Sequence, residues 1–230
     1  MPCKFQTLAA AAALTVGFAV GSAQAALVVS SVVGGAATGA NKSNFDACAL
    51  GAGGCVDGGA SVTFSSDGRV VNGSQSGVYA PPFLSGGNGL GFGAQPDGAD
   101  TTNYLTTGVG SLTMTFSGLQ NYLGLLWGSV DDFNTLEFYN GTTLVGTIDG
   151  LDVDAAASGD QGANGTFYVN IDSTDASTAF DRVVARSTQY AFEIDNVAYS
   201  ETRQVPEPAS LALLGMGLLG LGMVRRRKAA

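Results

Sequence analysis

The sequence predicts an all-β protein whose body is a single jelly-roll-like β-sandwich, and three observations carry that prediction. Apolar residues between Ala26 and Arg203 come in short runs that alternate with polar ones at a period of two, as half-buried strands require. Glycine reaches 34 of 230 residues, charged residues make up only 13%, and helix formers are scarce away from the termini, a composition suited to turns and strands. Asn140-Gly141 lies between two strand-like runs from Thr135 to Ile148, where the two positive φ values of a type I′ hairpin would fall.

In chain order, the first element is a leader over residues 1–25. Lys4 precedes an apolar run from Leu8 to Val20, and small residues then end on Ala23-Gln24-Ala25. This tripartite pattern is that of a signal peptide, cut after the Ala23-x-Ala25 site by a signal peptidase. Cys3 lies ahead of the apolar run and departs with the leader.

Residues 26–203 form the exported body. Its strand candidates begin with Leu27 to Val33 and Ser61 to Phe64. Between Ser111 and Phe116, Leu112, Met114 and Phe116 fall on one face of a strand. Tyr122 to Trp127 follows, then the Asn140-Gly141 hairpin, Thr166 to Ile171, Arg182 to Ala185 and a closing strand through Phe192 and Ile194. About eight short strands with no convincing helix favour two packed sheets. The Gly-, Asn- and Ala-rich stretches 34–59 and 85–100 read as long surface loops, where sandwich proteins place ligands.

Residues 204–230 are a second targeting segment. Val205-Pro206-Glu207-Pro208 is followed by an almost uninterrupted apolar stretch, Ala209 to Val224, and then by Arg225, Arg226, Arg227 and Lys228. The prolines stop any preceding element. The apolar stretch, slightly shorter than the ~20 residues of a usual spanning helix, reads as a transmembrane helix held at its far end by the basic cluster on the cytoplasmic side. Pro-Glu-Pro, short apolar helix and arginine cluster, in this order, closely resemble the PEP-CTERM sorting signal of Gram-negative bacteria that make exopolysaccharide. The resemblance covers only the last 25 or so residues. It implies recognition by an exosortase at Val205 to Pro208 and Arg225 to Arg227, a membrane-anchored precursor, and final residence at the cell surface or in the extracellular matrix. The closing strand, Phe192 to Val197, also weakly resembles the last strand of lectin-like sandwiches on proteins with such tails.

Charge and residue inventory then exclude whole function classes. Between residues 26 and 205 lie 18 acidic and 5 basic side chains. A body this acidic has no basic face for phosphates, so nucleic acid is not an expected partner. The chain has no histidine, which removes the commonest catalytic base, zinc ligand and Ser-His-Asp arrangement together. Cys48 and Cys55, the two cysteines left after export, are expected to form a disulfide.

Two carboxylates can hydrolyse a glycosidic bond without histidine, and Asp131, Asp132, Glu137, Glu193 and Asp195 are the residues placed for it. Most acidic residues nevertheless sit among Gly and Asn, as solvated charges do, and no enzyme is expected. Calcium is the one cofactor the sequence suggests, with Asp149, Asp152, Asp154 and Asp160 as its ligands; the alternative is a solubilising acidic loop. Trp127, with Tyr122 nearby, offers an aromatic platform for a sugar ring, against the alternative of ordinary core packing. The combined expectation is a non-enzymatic, exosortase-sorted surface protein with an adhesion, exopolysaccharide or biofilm-matrix role. The alternatives are a calcium-assisted carbohydrate-binding module and a glycoside-active enzyme.

Overall fold

The computed structural model describes residues 26–32 and 35–202. The expected leader with its Ala23-x-Ala25 site, and the transmembrane helix expected within residues 204–230, lie outside the described residues. Within them the chain is all-β, as the sequence predicts. The first seven strands are short: β1 (Leu27–Val32), β2 (Asn41–Ser43), β3 (Cys55–Asp57), β4 (Ala60–Phe64), β5 (Arg69–Val71), β6 (Phe83–Leu84) and β7 (Gly98–Ala99). Next come β8 (Tyr104–Thr107), β9 (Gly110–Gln120), β10 (Tyr122–Gly128), β11 (Asn134–Asn140) and β12 (Thr143–Asp149). A helical turn α1 (Gly150–Val153) precedes β13 (Phe167–Ser173), β14 (Phe180–Ser187) and β15 (Phe192–Ser200).

Two antiparallel sheets dominate. The first runs β1-β13-β10-β15-β8-β5, with β2 pairing β15 along the edge that β8 leaves free. The second runs β12-β11-β14-β9-β4-β3, and β6 and β7 pair separately. Alternation decides which side chains enter the space between the sheets. Leu112, Met114 and Phe116 of β9 point inward, as the sequence predicts, and meet Leu123, Leu125 and Trp127 of β10 in one shared core. Trp127 stacks on Phe192 with ring centroids 4.5 Å apart, and Phe138 meets Phe180 edge-on at 5.0 Å. Fully burying side chains of this size stabilises by about 1.5–3 kcal/mol each.

Three details differ from the sequence reading. The hairpin between β11 and β12 forms, but Asn140 pairs with Thr143, so the turn residues are Gly141 and Thr142. Gly141 alone takes a positive φ, 57°, which is the first central position of a type II′ turn rather than type I′. The 34–59 stretch is not a plain loop: it contributes β2, β3 and the fully buried Phe45. Residues 85–100 do not stand free either. Leu84 and Phe92 from this region close over Tyr122, Leu126, Tyr168 and Ala198 on the outer face of the first sheet, in a second, smaller apolar cluster. Cys48 and Cys55 are bonded, their Cα atoms 5.7 Å apart. No helix among the described residues is long and apolar enough to cross a membrane.

Candidate functional site

The candidate site begins with the alternation of β15. Phe192 and Ile194 face the core, which turns Glu193 and Asp195 to the opposite, outer face. Asn196 then takes a positive φ of 49°, and the pairing with β10 shifts between Gly124 and Leu126. This is a β-bulge, one extra residue that re-aims its neighbours. Val197 and Tyr199 thereby return to the core while Ala198 joins the outer cluster.

An outer sheet face normally meets water. Here the segment between β5 and β8 folds across it, so Glu193 is only 2% exposed and Asp195 is fully buried. The cover is pinned at several points. The Ala80 backbone N–H donates to Glu193 Oε1 at 3.0 Å, and Asn196 Nδ2 donates to Gln95 Oε1 at 2.9 Å. Phe83 N–H donates to Thr166 Oγ1 at 3.1 Å, while within the cover itself Asp100 N–H donates to the Pro82 carbonyl at 2.9 Å.

At one end the cover stops short and leaves a cleft of about 530 Å³. The turn 74–80 forms one wall, held by paired backbone bonds between Gln75 and Tyr79 at 2.9 and 3.1 Å. Segments 129–133, 158–161 and 189–193 contribute the rest. Two carboxyl groups line it, Glu193 and Asp131, among aromatic Tyr79, Phe133 and Tyr190 and the amides of Gln75, Gln161 and Gln189. No Lys or Arg lines it. Gly159 shapes the Asp131 wall: its φ is +69°, and a Cβ there would stand 2.5 Å from Asp131 Oδ1. A glycine lets the two segments touch where any side chain would collide.

Both carboxyls hold their protons more tightly than usual. Burial raises Glu193 to about 8, with the neighbouring charge of Asp131 adding to it, while the Ala80 N–H partly offsets both. Burial likewise raises Asp131 to about 6, helped by the charge of Asp132. At neutral pH Glu193 is therefore a hydrogen-bond donor and Asp131 an acceptor. Glu193 Oε2 and Ser129 Oγ are buried, with Ser129 near enough to act on the Glu193 carboxyl but neither atom in a well-formed hydrogen bond. Such a lining offers Asp131 and the glutamine amides to the hydroxyls of a polyol, and an aromatic face to its ring.

Of the residues singled out from sequence, Asp131 and Glu193 meet in this cleft. Asp195 lies beneath the cover, two residues farther along β15. Glu137 sits on the other sheet, where it accepts from Arg186 Nε and Tyr139 OH, each at 2.8 Å. Asp149, Asp152, Asp154 and Asp160 do not converge. Asp149 and Asp152 form the capping box of α1, Asp154 accepts from Ala156 N–H, and Asp160 from Gly162 N–H. Among the described residues no group of three or more His, Cys, Asp or Glu side chains is placed to hold a metal.

Trp127 and Tyr122 present no platform. They point to opposite faces of β10 and are 0% and 1% exposed, so Trp127 takes the core position that its apolar neighbours favoured. Tyr122 OH donates to Asn170 Oδ1 at 2.6 Å and accepts from Ala37 N–H at 3.1 Å. Sequence reasoning missed the aromatic wall of Tyr79 and Tyr190. The local signal was slight, since each tyrosine lies in a polar turn rather than in an alternating run.

The PEP-CTERM protein-sorting motif matches residues 204–228. The match spans the Pro-Glu-Pro sequence, the apolar stretch and the basic cluster, and it implies exosortase-dependent export and surface sorting through a membrane-anchored signal. No curated protein and no solved structure matches the chain.

Proposed function

We propose that the chain is a surface or matrix component of a Gram-negative bacterium, exported after signal peptidase removes residues 1–25. On this reading an exosortase processes the tail, and the 26–203 body binds a neutral glycan in the Glu193–Asp131 cleft without cleaving it. The observation that carries the first half is the sorting motif over residues 204–228. The glycan half rests on the cleft: a charged Asp131, three amide side chains and three aromatic rings, with no basic residue among them. Acidic polysaccharide would be repelled by a body with so large an excess of carboxylates, so the ligand is an uncharged exopolysaccharide segment and the role is adhesion or biofilm-matrix retention.

Two sheets around one core suit the jelly-roll-like sandwich expected of such a body. Binding is favoured over hydrolysis because both catalytic carboxyls of a glycosidase must reach the scissile bond. Glu193 is almost wholly enclosed and one of its oxygens is occupied by Ala80 N–H.

Binding of the host's neutral exopolysaccharide to the full-length chain tests this reading. Saturable binding that Tyr190→Ala and Asp131→Asn weaken supports it; binding indifferent to both substitutions overturns the cleft as the site. Release of reducing ends, abolished in Glu193→Gln, would make the protein an enzyme instead.

A further inference from the structure

Beneath the cover, the outer face of β15 carries a second set of oxygens that the cleft does not use. Asp195 is fully buried, and apart from a loose contact with the adjacent Asn196 N–H its carboxylate oxygens have no well-formed hydrogen bond. Asp100 comes down from the cover to meet it side chain to side chain. Asp100 is 2% exposed; its Oδ1 accepts from Thr102 N–H at 2.8 Å and Thr102 Oγ1 at 2.6 Å, while its Oδ2 is buried without a partner. Asn196, also fully buried, uses Nδ2 on Gln95 and leaves Oδ1 without a partner. Asp46 adds a further negative charge that acts on Asp195. None of these aspartates makes an ion pair among the described residues. Lys42, which β2 sets opposite Ala198, lies instead over the Phe92 ring.

Two carboxyl groups in contact are two acceptors facing each other, and burying even one unpaired carboxylate costs several kcal/mol. Either a shared proton or a cation must lie between them. The bulge at Asn196 is what sets a carboxylate and an amide oxygen at adjacent positions facing the cover.

We propose that Asp100, Asp195 and the Asn196 side-chain carbonyl form a binding site for a hard divalent cation of the calcium class. Carboxylate and amide oxygens without sulfur or imidazole select such ions over zinc or copper. Only two carboxylates are ligands here, in keeping with the lack of any metal-holding group of three acidic, His or Cys side chains among the described residues; Asp46 supplies charge rather than a ligand. The ion ties the cover to β15 and so fixes the wall of the neighbouring cleft.

The test is terbium titration of the full-length chain in detergent after treatment with EDTA. Tyr104, whose hydroxyl feels the charges of Glu193 and Asp100, is the natural antenna for sensitised luminescence. The expected result is a saturable signal that calcium displaces, that Asp195→Asn abolishes and Asp100→Asn weakens, and that Asp149→Asn leaves unchanged. A signal that survives Asp195→Asn and Asp100→Asn, or no saturable signal from the unmodified chain, overturns the proposal. A measurement that needs no variant accompanies it: calcium must raise the Tm of the EDTA-treated chain, and equal melting with and without calcium overturns the proposal too.

Discussion

Glu193 shows how one buried carboxyl couples folding to pH. Its ordinary value is 4.5 and its folded value is about 8, so between them the folded chain keeps a proton that the unfolded chain has released. Folding takes up a proton there, and stability falls as pH rises from about 4.5 to about 8, by at most about 1.4 kcal/mol per pH unit for this group. Asp131 adds a slope of the same sign between 3.8 and about 6. In Glu193→Gln the first slope is expected to vanish, leaving a variant more stable than the parent at pH 8. Thermal melts of both proteins across that range check it, and parallel curves would contradict the burial argument. Trp127→Ala is expected to cost about 3–5 kcal/mol in urea unfolding, as a large aromatic lost from a packed core does. A loss below about 1 kcal/mol would contradict its place against Phe192. At this scale the sequence named Glu193, Asp131 and Asp195 as carboxylates on strands or strand ends. It did not show that residues from a distant segment bury them, because burial of an outer face is set by tertiary packing and leaves no period in the strand itself.

Strand periodicity made the longer elements legible. β9, β10, β11, β12, β13, β14 and β15 each run seven residues or more, long enough for alternation to show. β2, β3 and β5 have three residues each, too few to display a period of two, and the 85–100 segment hides an apolar anchor, Phe92, among glycines. The Asp149 to Asp160 loop misled for a physical reason. Aspartates spaced two or three apart are what a calcium loop needs, and also what helix caps and Asx turns need, and local backbone N–H groups took them first. Two substitutions probe elements directly. Replacing Cys48 and Cys55 by serine together is expected to cost about 2–3 kcal/mol, the loop-closure value for so short a bridge. Equal denaturation midpoints with and without reductant would contradict that. Gly159→Ala forces a Cβ against Asp131 at a positive φ, so a destabilisation of at least about 1 kcal/mol is expected. An unchanged midpoint would show that the 158–161 wall can move aside.

At the scale of the whole molecule, an acidic, all-β body precedes a sorting motif at residues 204–228. The sorting motif was readable because its chemistry is linear: Pro-Glu-Pro, an apolar run and arginines need no fold to be recognised. The candidate cleft of the body was not readable, since it is assembled from four separate stretches between residues 74 and 193. Export also bears on the fold, because an oxidising exterior permits the Cys48–Cys55 bond and supplies the calcium that the Asp100–Asp195 pair would take. The most direct measurement is the intact mass of the protein recovered from the envelope or matrix of its own host, with and without a functional exosortase. The expected mature chain begins at Ala26 and, only when exosortase is present, has lost the apolar segment beyond the Val205 to Pro208 motif. A protein that keeps Ala209 to Lys228 in both hosts, or that retains residues 1–25, would contradict exosortase-dependent surface sorting.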